Sequence, residues 1–150
     1  MLLCSGTTLT LMRLTDGIPA LFAGYYWSSH TVLFRVIVPI SCVLAFIAHP
    51  VGAQAWVYTL YWWLPVIFYL LPINTLFITA LGSTLIAHAV GSVIWIYGNP
   101  SNVHLWHTLL PIVAIERLFF ALSMVVFYRL WQKVSATLSV PFFSWIHKTA

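Results

Sequence analysis

Charged side chains are nearly missing from this sequence. Only 5% of its 150 residues are Asp, Glu, Lys or Arg, whereas 62% are hydrophobic and the mean hydropathy is +0.99. A soluble domain carries about a quarter charged residues, so this chain could not cover a globular surface with them. The composition and the length predict one integral membrane domain over residues 1–150, with the lipid bilayer as its surroundings.

Acidic residues are limited to Asp16 and Glu116, which leaves almost no material for acid–base or metal-assisted transfer chemistry. The motifs HExxH and GxSxG and the Walker loop do not occur. Cys4 and Cys42 form no CxxC pair, which argues against a thiol redox enzyme. The six basic residues are scattered, so nucleic-acid binding is not indicated. We therefore expect a protein that is not an enzyme and holds neither a metal nor a cofactor.

Continuous apolar runs are what the sequence does contain. Strands of a membrane barrel would alternate polar and apolar residues, and these runs do not. Their lengths predict an all-α, polytopic transmembrane helix bundle with four spans, at about residues 31–49, 55–71, 73–97 and 105–130. The apolar part of residues 18–27 is too short to span, so it predicts an interfacial or re-entrant helix before the first span. One long, bent first helix is the alternative.

The loops of this four-span bundle differ in charge. Residues 50–54 and 98–104 contain no Lys or Arg. The other side of the bundle carries most of the basic residues, which are Arg13, Arg129, Lys133 and Lys148. The positive-inside rule therefore predicts a protein of the cell (inner) membrane with both termini in the cytoplasm.

A seam of small residues runs along the third predicted span. Ser83, Ala87 and Gly91 recur at four-residue spacing, which lets two helix backbones approach closely in lipid. The seam is either a packing face inside this bundle or a docking face for a helix of a partner subunit.

Ionisable side chains inside the predicted spans form the main candidate site. His88 and Glu116 fall at similar depth on sequential antiparallel spans, and an ionisable group at that depth marks a functional site by default. Glu116 and Arg117 point about 100° apart around their helix. One arrangement pairs Glu116 with Arg35 or His88 and sends Arg117 to another helix or a cavity. Such groups either fix the bundle geometry or line a ligand site.

Aromatic residues crowd the second predicted span, and Trp62 and Trp63 lie too deep for an interfacial belt. With nearby ionised groups they could line a pocket for a planar heterocyclic or amphiphilic small molecule. Packing of the bundle core is the alternative interpretation.

The histidines offer two further hypotheses. His88 could bind a b-type haem together with His49 or His107 on another helix, although the sequence shows no duplicated histidine pattern. A zinc site from His49, His104 and His107 would lack the tight spacing that such sites show.

One family resemblance accompanies these patterns. Residues 14–24, LTDGIPALFAG, resemble an early D-x-x-P-A-L-x-x-G run in the substrate-binding S components of energy-coupling-factor vitamin transporters. Residues 80–92 look like the small-residue helices of those proteins, and residues 109–130 look like their closing helix. The resemblance implies a six-helix bundle that captures a vitamin-like molecule outside the cell. It also implies a membrane scaffold subunit with ATPase partners.

The leading prediction is an integral membrane subunit for the uptake of a small, vitamin-like solute, captured from the non-cytoplasmic side. Glu116, Arg117, Arg35 and His88 would line its cavity. A non-catalytic assembly or stability subunit of a membrane complex is the alternative, followed by a b-type haem subunit.

Overall fold

The described part of the chain is built from helices alone. The computed structural model describes residues 17–71 and 73–138, of which 89% are helical and none are in strands. The described helices are α1 (17–28), α2 (Leu33–Ala48), α3 (Pro50–Gln54), α4 (Trp56–Leu70), α5 (Leu76–Gly98) and α6 (Val103–Leu138). The predicted all-α class is confirmed. Residues 14–16 of the resembling segment lie outside the described residues.

Two of the described helices, α5 and α6, are long and apolar enough to cross a membrane. Helices α2 and α4 are also apolar but shorter, within 10–17 residues. Helices thus occupy all four regions predicted to be spans, but only two of the four reach spanning length. Helix α6 also continues to Leu138, beyond the end predicted at residue 130.

Prolines change the helix type in α2 and α4. In a regular α-helix, the missing N–H of Pro65 would leave the carbonyl of Tyr61 unpaired. Residues Trp56–Trp63 instead form a 3₁₀-helix, in which the N–H of Leu64 donates to that carbonyl. In α2, a π-helical turn over Leu33–Ile37 precedes Pro39. Winding thus departs from the regular α-helix before Pro39 and Pro65, whereas α6 stays α-helical around Pro111.

Helix α1 is separate from α2, so the alternative of one bent first helix is wrong. Residues 29–31 are not helical, and Ser29, the first residue after α1, donates both its N–H and its hydroxyl to the carbonyl of Tyr25, at 2.9 Å and 2.8 Å. Helix α1 then packs antiparallel along α5. Ser83 Oγ donates to the carbonyl of Ala23 at 2.9 Å, and Gly91 lies opposite Pro19.

The core is an aromatic cluster between α2, α4 and α6. Phe46 lies at its centre, with ring centroids 5.2 Å from Trp62 and 4.9 Å from Trp106, both edge to face. Tyr58 meets Trp106 at 4.8 Å in the same manner. These four side chains are buried and join three helices near the end of the bundle where α6 begins.

Candidate functional site

An open cleft runs between α1, α5 and α6. Its larger chamber has a volume of about 650 Å³ and its smaller chamber about 370 Å³, and both are lined by Ala87 and Arg117. The small side chains on this face of α5 leave the space that the cleft occupies. The remaining lining is mostly apolar. Arg117 is the charged residue that lines both chambers.

Arg117 is fixed at the junction of the two chambers. Its Nη2 lies 2.9 Å from Glu116 Oε2, and its Nη1 donates to the carbonyl of Thr84 on α5 at 3.5 Å. The guanidinium carbon lies 4.8 Å from the ring centre of Phe120, one helical turn further along α6. The Nε–H is buried and has no acceptor among the described residues. This donor is therefore unpaired within the described part of the chain, while the guanidinium as a whole lines both chambers.

His88 lies in the smaller chamber, which Arg117 also lines. Its Nε2 is 2.8 Å from the hydroxyl of Tyr58 on α4, so the imidazole ties α5 to α4. The structure thus brings His88 and Arg117 to one cavity from sequential helices.

The predicted partners of Glu116 need correction. Glu116 pairs with its neighbour Arg117, and not with Arg35 or His88. Both side chains are long enough to meet despite their angular separation, and the Glu116 side chain is 45% exposed. The other part of the predicted arrangement, in which Arg117 reaches another helix, agrees with its contact to Thr84.

Arg35 lies away from the cleft. Its Nε donates to the carbonyl of Ser29 at 3.2 Å and its Nη2 to that of Tyr26 at 3.4 Å. It lines a different cavity, at the start of α2 and the end of α4. The position of α1 explains this difference, because its last turn and the residue that follows it supply the two carbonyls.

The two tryptophans named from the sequence do not line the cleft. Trp62 is fully buried in the aromatic core, and Trp63 is 41% exposed and lines none of the three cavities described here. The aromatic walls of the cleft come instead from Trp27, Trp95, Trp106 and Phe120. Phe120 could have been found from its spacing of three residues from Arg117.

The small-residue seam packs inside this chain. Ser83 and Gly91 contact α1, and all three residues of the seam also line the cleft between α1, α5 and α6. Of the two interpretations that the sequence left open, the contacts therefore favour packing within the bundle.

His49 and His104 have local structural contacts. His49 Nδ1 accepts the N–H of Val51 at the start of α3, and His104 contacts Thr108 on its own helix. Among residues 17–71 and 73–138, no group of three His, Cys, Asp or Glu side chains is arranged to hold a metal ion.

No protein-family model, curated protein or solved structure matches this chain. The geometry of the cleft and the sequence patterns therefore carry the functional interpretation.

Proposed function

We propose that this chain is an integral membrane subunit that captures a small amphiphilic solute for uptake. The membrane assignment is supported by α5 and α6, and by the surface of α6 in particular. Only 11% of the apolar stretch of α6 is buried in the chain, which leaves large side chains such as Phe119 and Phe127 uncovered. An exposed apolar surface of this extent is typical of contact with lipid or with another membrane protein.

The observation that carries the solute-binding proposal is Arg117 at the junction of an apolar cleft. A cation in such surroundings is costly and needs to interact with an opposite charge or a set of acceptors. Glu116 supplies one carboxylate, but the buried Nε–H still lacks an acceptor among the described residues. The larger chamber, at about 650 Å³, lies within the range of small-molecule sites, which is about 300–1,000 Å³.

The chemistry of the lining indicates the ligand class. A polar or anionic group on the ligand would lie beside the Arg117 guanidinium, which lines both chambers, and a planar or apolar body would lie beside Phe120 and Trp27. Ala20 and Gly24 on α1 leave room for that body. A vitamin-like molecule with a polar group on a ring system fits this description.

The position of the smaller chamber supports the proposed capture from the non-cytoplasmic side. It extends towards Trp95 and Trp106, close to the uncharged loop 99–102 at the end of α5. The positive-inside rule assigns this end to the non-cytoplasmic side. The resemblance to S components supplies the proposed partners, which are a membrane scaffold subunit and its ATPases.

Ligand binding can be tested by thermal unfolding of the detergent-purified protein with a panel of water-soluble vitamins. At 100 times the dissociation constant, a ligand stabilises the folded state by about 2.7 kcal/mol, which is measurable as a higher Tm. We expect at least one vitamin to raise the Tm, and we expect Arg117→Gln and Glu116→Gln to abolish that increase. Arg129→Gln, which removes an exposed charge further along α6, is the matched control and should retain the increase.

A non-catalytic assembly subunit is the second candidate, and one observation favours it. Glu116 and Arg117 already pair with each other, so they could serve only to brace α6 against α5. In that case no vitamin raises the Tm, while a membrane partner co-purifies from the native membrane. That combination would overturn the uptake proposal.

A further inference from the structure

A second buried cation lies outside the cleft. Arg35 is only 3% exposed, although it carries a permanent positive charge. Its contacts are two backbone carbonyls, of Tyr26 and Ser29, and the ring of Tyr26, whose centre lies 4.5 Å from the guanidinium carbon. No carboxylate among the described residues pairs with it. Carbonyls and a ring solvate a guanidinium in part, but they do not neutralise its charge.

Arg35 lines a cavity of about 290 Å³ that collects polar groups from three parts of the chain. His30 comes from the segment between α1 and α2, Tyr69 from the end of α4, and Asn74 from the segment before α5. Apolar walls complete the cavity, and they come from Phe68, Leu70 and Leu71. The cavity thus combines a buried cation with side chains that can donate hydrogen bonds to an anion.

The position of the cavity within the fold indicates which class of anion it could bind. Helix α2 begins there and α4 ends there, so the cavity lies at one end of the bundle and not at mid-height. In a bilayer this end lies on the cytoplasmic side by the positive-inside rule. Phosphate groups of lipids occupy that level, and guanidinium groups bind phosphate oxygens through paired N–H donors.

We propose that the cavity around Arg35 binds a phosphate anion, either as the headgroup of an anionic lipid or as free phosphate. The guanidinium supplies the charge, and His30, Tyr69 and Asn74 supply further contacts. This site is separate from the cleft, so it does not depend on solute binding at Arg117.

Calorimetric titration of the full-length protein in an uncharged detergent tests this proposal. The probes are dihexanoylphosphatidylglycerol and inorganic phosphate. We expect Arg35→Gln to weaken binding by about tenfold, because it removes a charge-assisted contact. Arg129→Gln, which removes the same charge from an exposed position on α6, should change binding by less than about twofold, as expected for an exposed, screened charge.

The two probes distinguish the source of the phosphate. Binding of phosphatidylglycerol alone identifies a lipid site, and equal binding of inorganic phosphate identifies a site for free phosphate. The proposal is overturned if neither probe binds, if Arg35→Gln binds as tightly as the unmodified protein, or if Arg129→Gln loses as much affinity.

Arg35 also holds α2 against the carbonyls of Tyr26 and Ser29, so Arg35→Gln could lose binding by misfolding. A second variant distinguishes this outcome from the loss of a ligand contact. Asn74 is exposed, so Asn74→Trp should fill the cavity and leave the contacts of Arg35 intact. We expect Asn74→Trp to prevent binding with an unchanged Tm. Undiminished binding by this variant would also overturn the proposal.

Discussion

Helices α5 and α6 are similar in apolarity but differ in their surroundings. Their most apolar stretches have mean hydropathies of 1.7 and 2.1, yet 56% of the residues are buried in α5 and only 11% in α6. The difference lies in residue size, because α5 presents Ser83, Ala87 and Gly91 where α6 presents Ile, Leu and Phe. Small residues allow close approach, so α5 becomes the centre of the bundle. Hydropathy identifies both helices, and the size of their residues indicates which one is surrounded by other helices of the chain.

The largest expected change in stability comes from α6, which has a buried tryptophan near its start and an exposed one near its end. Trp106 is 2% exposed in the aromatic core, whereas Trp131 is 63% exposed. Trp106→Ala should lower the free energy of unfolding by about 3–5 kcal/mol, because it leaves a cavity beside Phe46 and Tyr58. Trp131→Ala should change it by less than about 0.5 kcal/mol. Denaturant titration in detergent, followed by far-UV circular dichroism, measures both values. Equal losses would show that α6 is covered along its whole length.

A smaller effect tests the close approach of α1 to α5. An alanine Cβ at Gly82 would overlap the hydroxyl of Tyr26, which cannot easily move because it is fully buried beneath Arg35. Gly82→Ala should therefore destabilise the protein by about 1–3 kcal/mol. Gly98→Ala, at the end of the same helix, meets open space and should be neutral or slightly stabilising. If the two variants unfold at the same denaturant concentration, α1 is not packed on α5 as described.

The smallest expected change in stability comes from replacing one serine on α5 and one on α6. Ser83 is buried and donates across helices to Ala23, whereas Ser123 is exposed and donates to Phe119 on its own helix. Ser83→Ala should cost about 1 kcal/mol, since it removes the hydrogen bond that joins buried Ser83 to the partly buried carbonyl of Ala23. Ser123→Ala should cost less than about 0.5 kcal/mol. The same denaturant titration measures both losses. A larger loss from Ser123→Ala would contradict the conclusion that α5 is more buried than α6.

Much of this arrangement could be predicted from local patterns. The positions of α2, α4, α5 and α6 follow from apolar runs, and the loop 99–102 follows from its Asn and Pro residues, whereas α3 lies where the sequence predicts a loop. The proximity of His88 and Arg117 follows from simple counting along two sequential helices. These features depend on residues that are near in sequence or on helices joined by a short loop.

The contacts that were missed depend on where α1 lies. Arg35 was expected near Glu116, but the last turn of α1 and the residue that follows it bring it two carbonyls and hold it at another site. Glu116 then meets its own neighbour, because side-chain reach outweighs the angular separation along the helix. Hydropathy and spacing do not specify how a short helix folds back along α5, so neither contact could be derived.

The 3₁₀ winding of Trp56–Trp63 has a consequence for the thickness of the surrounding bilayer. A 3₁₀-helix rises about 2.0 Å per residue and an α-helix about 1.5 Å, so eight residues gain about 4 Å in length. Helix α4 thereby reaches about 26 Å, compared with a hydrocarbon core of about 30 Å. Helix α2, with its compact π turn, gains no such length. In the proposed membrane, hydrophobic mismatch would therefore be greatest beside α2, and lipid tails there would have to shorten or tilt.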